Sequence, residues 1–359
     1  MSTGLDQTRE LARICRLHRN ATDDMRRLPP PVCEALAASG LSRATLPKEL
    51  HGLEMDPPDL LEHYGILAGA EASVSWIAWN NLLFAHLTRS LAPRIRADVF
   101  REPGAIFAQS TRPGGRALAQ GTSFRVSGSW QLVSGCELAE WLLLLCEIEG
   151  RGEQFALLHK EQCKIQDTWY VGGLRGTGSH DVEVSDAAIS PEQLVSPGDA
   201  PTHEGAWARL PIISLVSAGF GAQTLGIARA LLEATAERRE AGSALLVGAH
   251  AASLEAAEAH LRDGVDRLWR RACAGEEATL VEIGAVYAAT RHANGVARRA
   301  VADLYDAAGT RALYVSAPFE RAHRDLRAML QHIVAQPIWT EDAGRARLGL
   351  TPTHPLFAI

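Results

Sequence analysis

The stretch SFRVSGSWQLVSG, Ser123–Gly135, decides the fold class. Its apolar residues recur at the period of two that a half-buried strand requires. Further along, WLLLLCEI (Trp141–Ile148) and QFALLHK (Gln154–Lys160) are continuous apolar runs of strand length, and DVEVSDAAI (Asp181–Ile189) alternates again. Turns rich in Gly, Ser and Asp separate these runs at short intervals. That spacing predicts an antiparallel barrel or sandwich over residues 103–200, a segment of ordinary domain length.

The flanks have a different texture. GLDQTRELARICRLHRNATDDMRRL (Gly4–Leu28) carries apolar residues at helical spacing until Pro29–Pro31 break it. PPVCEALAASGL (Pro30–Leu41) has proline at its start and Gly40 at its end, the asymmetry of a short helix. The segment Asp56–Leu91 opens on Pro57-Pro58 and is too apolar for a surface helix, which implies a buried helix pair. After Ala206 the chain reads as long helices. In the first of these, Ala218, Gly219, Ala222 and Gly226 leave room for another helix to approach closely. The expected organisation is α+β: an N-terminal helical domain (1–102), a central β domain (103–200), a C-terminal helical bundle (201–345) and a tail (346–359).

The chain has 359 residues, 47% of them apolar and 22% charged, with net charge −6. An acidic balance argues against a general binder of nucleic acid or anionic membrane, which needs a basic surface. The first twenty residues are polar, without the apolar run of a secretory signal, and WLLLLC is far shorter than a membrane span. Six cysteines show neither C-x-x-C nor zinc-ligand spacing, so reduced thiols in a cytoplasmic protein are expected.

Two glycine-rich stretches could carry chemistry. GFGAQTLG (Gly219–Gly226) begins G-x-G but lacks the third glycine, and it continues a helix instead of ending a strand. Helix packing is its expected role, not dinucleotide binding. LRGTGSHD (Leu174–Asp181) is either a plain turn or a loop whose N–H groups and Thr177 and Ser179 hydroxyls face a polar cofactor.

RDLRAMLQHIVAQ (Arg324–Gln336) reads as a helix. At 100° per residue, Leu326, Met329, Leu330, Ile333 and Val334 form its core stripe. His332 falls on the other side with Ala328, Gln331 and Ala335. That face is either solvated or the floor of a cleft in which alanines leave room for a ligand.

SFRVSGSWQLVSGCELAEW, GLRGTGSHDVEV and FERAHRDLRAMLQHIVAQ, in that order in a helical–β–helical chain, resemble the acyl-CoA dehydrogenase fold, and within it the flavin-dependent monooxygenases of two-component systems. The resemblance implies a central β-barrel-like domain, a C-terminal four-helix bundle and a homotetramer formed through that bundle. It implies reduced FMN or FAD between the β domain and the bundle, delivered by a separate flavin reductase, with O2 as co-substrate. A small, aromatic or heteroatom-bearing molecule would be hydroxylated or oxidised at N or S.

By the same resemblance His332 is the acid/base and Ser134 sits at the flavin N5/C4a edge, stabilising the flavin hydroperoxide. Trp169, Thr177 and Ser179 lie near the flavin, while Trp76, Asn81 and Gln331 line the substrate pocket. An imidazole that titrates near neutrality suits the acid/base role. An acyl-CoA dehydrogenase, the alternative, needs a carboxylate base after the Arg-Asp pair, and LRAMLQHIVAQ (326–336) has none. A flavin-free, non-catalytic member of the fold is the third reading. Two residues common in relatives are replaced or missing: Asn81 stands where several members carry a histidine, and AGSALLVGAHAASLEAAEAHL (241–261) lacks the arginine that often grips the flavin phosphate.

Overall fold

The computed structural model describes residues 3–196, 198–199, 205–239 and 241–359. Helices come first: α1 (Thr3–Met25), α2 (Pro30–Ser39), α3 (Pro57–Ala70), α4 (Ala72–Leu87) and α5 (Pro93–Val99). The expected prolines do their work: Pro30 and Pro57 occupy first-turn positions, where a missing N–H costs nothing. Gly40 closes α2 in the left-handed conformation at φ 69°. The apolar segment 56–91 is two helices, because Glu71 is extended and its carboxylate accepts from Ser73 N to start α4.

The β segment comprises β1 (Ile106–Gln120), β2 (Ser123–Val133), β3 (Ala139–Ile148), β4 (Gly152–His159), β5 (Lys164–Gln166), β6 (His180–Ile189) and β7 (Leu194–Val195). They form one sheet in the order β5-β6-β2-β1-β3-β4-β7. The antiparallel expectation fails at one ladder: β1 and β3 run parallel. The crossover that joins them is β2 itself, which pairs with the other edge of β1. The β1 register shifts between Ser110 and Gly115, so Arg112 sits in an irregular stretch beside the ladder. The expected boundary between residues 200 and 201 lies outside the described residues.

The C-terminal helices are α6 (Ile212–Ala236), α7 (Ala244–Cys273), α8 (Leu280–Ala308), α9 (Pro318–Met329) and α10 (Ile338–Arg347). Helix α6 is long and apolar enough to cross a membrane, but 89% of its apolar window is covered by the rest of the protein. It is the hub of the core. A Cβ on Gly226 would stand 2.2 Å from the Gly65 carbonyl oxygen, so α3 and α6 touch backbone to backbone. One on Gly219 would meet the Trp79 ring at 2.8 Å. The GFGAQTLG glycines thus serve packing, as expected. Thr279 and Glu282 cap α8 reciprocally, at 2.8 and 3.3 Å.

The stretch 324–336 is not one helix. Helix α9 ends at Met329, and His332 is extended (φ −67°, ψ 151°), capping a short 3₁₀ turn over Ile333–Ala335. Ile333, placed on the core stripe by helical periodicity, is 54% exposed, whereas Leu326, Met329 and Val334 are buried. Pro337 cannot continue a helix through residue 333, whose carbonyl its ring would strike, and it holds Gln336 extended at ψ 151°.

Candidate active site

Helix α4 presents Trp76 and Trp79 three residues apart, hence on one face. Phe220 of α6 joins them. His332, freed from the helix, sets its half-buried imidazole among these three rings. It is edge-on to Trp76 (centroids 5.2 Å, 88°) and Trp79 (5.6 Å, 79°) and roughly parallel to Phe220 (5.9 Å, 24°). His332 Nδ1 accepts from Val334 N at 3.3 Å, so the neutral ring carries its hydrogen on Nε2. Burial, with a smaller contribution from the Arg112 guanidinium, pushes its pKa down to about 4. The expectation of a group titrating near neutrality is corrected here: at neutral pH this imidazole is uncharged and offers an N–H donor.

Ser134 directly follows β2, on the other side of Trp76. Gly135 follows at φ 74°, a left-handed turn that favours glycine. The Trp76 indole N–H donates to Ser134 Oγ at 3.0 Å. Ser134 Oγ lies 2.7 Å from Ser179 Oγ, which lies 2.7 Å from Thr177 Oγ1, and Thr177 donates to the Leu174 carbonyl at 2.8 Å. Trp169 Nε1 donates to the same carbonyl at 3.1 Å. The fold therefore joins Trp76, Ser134, Ser179, Thr177 and Trp169 in one hydrogen-bonded chain, although they come from three segments. Thr177 and Ser179 are buried, and both of their hydroxyls are engaged within the chain.

The loop that carries this chain is held on two sides. A Cβ on Gly173 would lie 2.3 Å from Arg324 O, and one on Gly176 would lie 2.2 Å from Thr22 Cγ2. Leu174 is left-handed (φ 54°), a strained state for a leucine, and its N–H donates to the buried Asp325 carboxyl at 2.8 Å. Burial first, and Glu71 second, raise the Asp325 pKa. Glu71 in turn holds Arg321 in a buried ion pair at 3.0 Å, and Arg324 reaches Asp23 at 2.7 Å.

Two residues expected in the pocket are placed otherwise. Asn81 is buried with its amide spent on backbone: Nδ2 donates to Ile77 O and Phe107 O, and Oδ1 accepts from Phe107 N. It pins α4 to β1. Gln331 is exposed, and its amide bonds the Arg327 carbonyl. The expected pocket segment, Trp76–Asn81, contains Trp79, whereas sequence reasoning missed Phe220 and Asp325. The Trp-x-x-Trp spacing of WIAW signals Trp79, whereas nothing local signals the other two.

Residues 218–337, which include Phe220, Asp325 and His332, match the family described as acyl-CoA dehydrogenase, C-terminal domain. The structure superposes on XiaF from Streptomyces sp., in complex with FADH2 and glycerol, with a TM-score of 0.92 at 21% identity, over 99% of this chain and 97% of that one. The chain has the acyl-CoA dehydrogenase-like fold. Its full-length relatives lie among the flavin-dependent monooxygenases. It is 26% identical to the indole-3-acetate monooxygenase of Pseudomonas putida, over 97% of this chain and 93% of that protein. It is 29% identical to the oxygenase component of the FADH2-dependent resorcinol hydroxylase of a Rhizobium species, over 95% and 93%.

Near the cage lie an apolar surface and two open acceptors, the complement of a flavin edge that carries N–H groups. Leu132, two residues before Ser134, is 46% exposed and left-handed at φ 60°, an apolar surface beside a polar atom. Gln109 Oε1 is a buried acceptor without a partner, on a side chain whose amide bonds the Asn80 carbonyl of α4. Ser134 Oγ, with two hydrogen bonds made, keeps one lone pair. These fit a flat, partly apolar ring system bearing N–H groups at its edge.

Proposed function

We propose that the protein is the oxygenase component of a two-component flavin-dependent monooxygenase. It takes reduced FMN or FAD from a separate reductase and inserts one atom of O2 into a small aromatic or heteroatom-bearing substrate, releasing the other as water. The bound reduced flavin supplies the two electrons and the site of O2 activation. Everything else falls to side chains. Leu132 and Ser134 receive the flavin edge, Trp76, Trp79 and Phe220 exclude water and stack against the substrate ring, and His332 offers Nε2–H to the reacting oxygen. A homotetramer with cytoplasmic residence belongs to the same reading.

One observation carries the choice of oxygenation over α-proton removal. Among the described residues, no carboxylate pairs with His332 or with the rings that surround it. Asp325 is turned into the Leu174 N–H, and Glu341 is exposed on α10. Among the described residues, a carboxylate base for acyl-CoA chemistry has no representative in the cage.

The test is to mix the anaerobic protein, loaded with photoreduced FMN or FAD, with O2 and follow flavin absorbance by stopped flow. A transient oxygenated flavin that decays faster with an aromatic substrate present is expected. Reduction of bound oxidised FAD by an acyl-CoA would overturn the reading.

A further inference from the structure

The three-hydroxyl chain has one donor-only end and one acceptor-only end, and these determine every proton in it. An indole N–H cannot accept, and a carbonyl oxygen cannot donate. Thr177 must donate to the Leu174 carbonyl, 2.8 Å away. Its hydrogen is then used, so the 2.7 Å contact with Ser179 is made by the Ser179 hydrogen. That leaves the 2.7 Å contact between Ser179 and Ser134 to the Ser134 hydrogen. Ser134 also receives the Trp76 N–H at 3.0 Å. Each hydroxyl has two partners, and the direction runs from Trp76 to Leu174 without an alternative.

The Ser134 proton therefore points away from the site, and what Ser134 shows a ligand is a lone pair. A flavin presents different chemistry at N5 in its two redox states. Reduced, N5 carries a hydrogen and donates; oxidised, it is a bare acceptor. A serine locked as an acceptor pairs with the first and opposes the second.

We infer that Thr177 and Ser179 are positioning residues that hold Ser134 as a hydrogen-bond acceptor, and so make the site select reduced over oxidised flavin. They act through Ser134 and not by touching the flavin. The inference rests on the flavin reading above, and it concerns which redox state binds, not whether a flavin binds. Asp325 belongs to the same device: its bond to Leu174 N fixes the peptide segment whose carbonyl terminates the chain.

The test is binding, not turnover. Dissociation constants of oxidised and of photoreduced FMN and FAD are measured anaerobically by equilibrium dialysis for the wild type, Ser179→Ala and Thr177→Val, with circular dichroism confirming the fold of each. Thr177→Val is decisive because its hydroxyl lies two hydrogen bonds from Ser134's open side. With Thr177 or Ser179 removed from the chain, the Ser134 hydrogen is free to turn toward the ligand. The wild type is expected to bind the reduced form more tightly. Both variants are expected to bind the oxidised form roughly tenfold more tightly than the wild type does, the weight of one hydrogen bond changing from opposed to made. The bound flavin's reduction potential should rise in the wild type relative to the variants by the corresponding ratio.

Equal affinity of the wild type for both redox states would overturn the inference while leaving the flavin reading intact. So would variants in which both affinities fall together, as a merely structural role predicts. A wild type that binds neither FMN nor FAD in either state would instead overturn the flavin reading, before any variant is made.

Discussion

Trp76 stands between His332 and Ser134 and touches both: its ring and the His332 imidazole are perpendicular with centroids 5.2 Å apart, and its N–H donates to Ser134 Oγ at 3.0 Å. One indole thus sets the spacing between the group assigned to the flavin edge, Ser134, and the group assigned to the reacting oxygen, His332. Anything that moves α4 moves that spacing.

Trp76→Phe keeps a ring beside His332 and removes only the N–H. In a double-mutant cycle with Ser134→Ala, followed by urea denaturation, the pair should show a coupling of about 0.5–1.5 kcal/mol. Additive losses would mean that the hydrogen bond contributes nothing in solution.

His332 gives a pH signature. Its folded pKa of about 4 lies below the ordinary 6.5. Above pH 6.5 both folded and unfolded states are neutral there, and no penalty arises. As pH falls from 6.5 to 4 the unfolded chain takes up the proton first, so stability drops through that window. His332→Asn keeps an acceptor for Val334 N and cannot titrate, so it should flatten the drop by about 1–3 kcal/mol. Part of the slope will persist, because burial also pushes His86 down to about 3. Denaturation midpoints from pH 4 to 8 read this directly.

His332→Ala should leave binding of reduced FMN within about threefold and lower substrate oxidation by at least tenfold, since only a donor to the reacting oxygen is lost. Product formed per reduced flavin, with released H2O2 counted separately, is the measurement. Unchanged product yield would remove His332 from the reaction.

Asp325 separates hydrogen bonding from charge. Its raised pKa reflects a carboxylate that burial and Glu71 disfavour. A group that binds its proton more tightly when folded stabilises at low pH and loses that contribution as pH rises through its folded value. Asp325→Asn retains an acceptor for Leu174 N and should be close to neutral in stability at pH 7. Asp325→Ala orphans that N–H and should cost about 1–3 kcal/mol. Hydrogen exchange across 173–179 should accelerate only in the alanine variant.

The same substitution should have opposite signs at two glycines. Gly226→Ala drives a Cβ to 2.2 Å from the Gly65 carbonyl oxygen and should cost more than about 2 kcal/mol. Gly248 is exposed within α7 with nothing within 4 Å, so Gly248→Ala should stabilise by up to about 1 kcal/mol. Thermal midpoints of the two variants check both signs.

Much of this architecture was legible because its signals are local. The prolines at 30 and 57 and the period-two pattern of 123–135 each act within a few residues of themselves. The parallel pairing of β1 with β3 was not, since partner choice depends on chain segments far apart in sequence. His332 was misplaced for a subtler reason. Every residue of 324–336 tolerates a helix, and Pro337, just beyond, acts only on residues 333–336, so nothing local signals the break after Met329. Residue types at the site were legible, but their relations were not. Ser134 and Ser179 are 45 positions apart, and no periodicity predicts that their oxygens lie 2.7 Å apart.

The contact between Gly65 and Gly226 reaches beyond packing, into biosynthesis. Helix α3 emerges from the ribosome roughly 160 residues before its partner on α6. At about 5–20 residues per second, the N-terminal helices spend on the order of ten to thirty seconds with that apolar face uncovered. The strand-rich middle is made during this wait. Expression at reduced temperature, or with added holdase chaperones, should therefore raise the soluble yield of this chain.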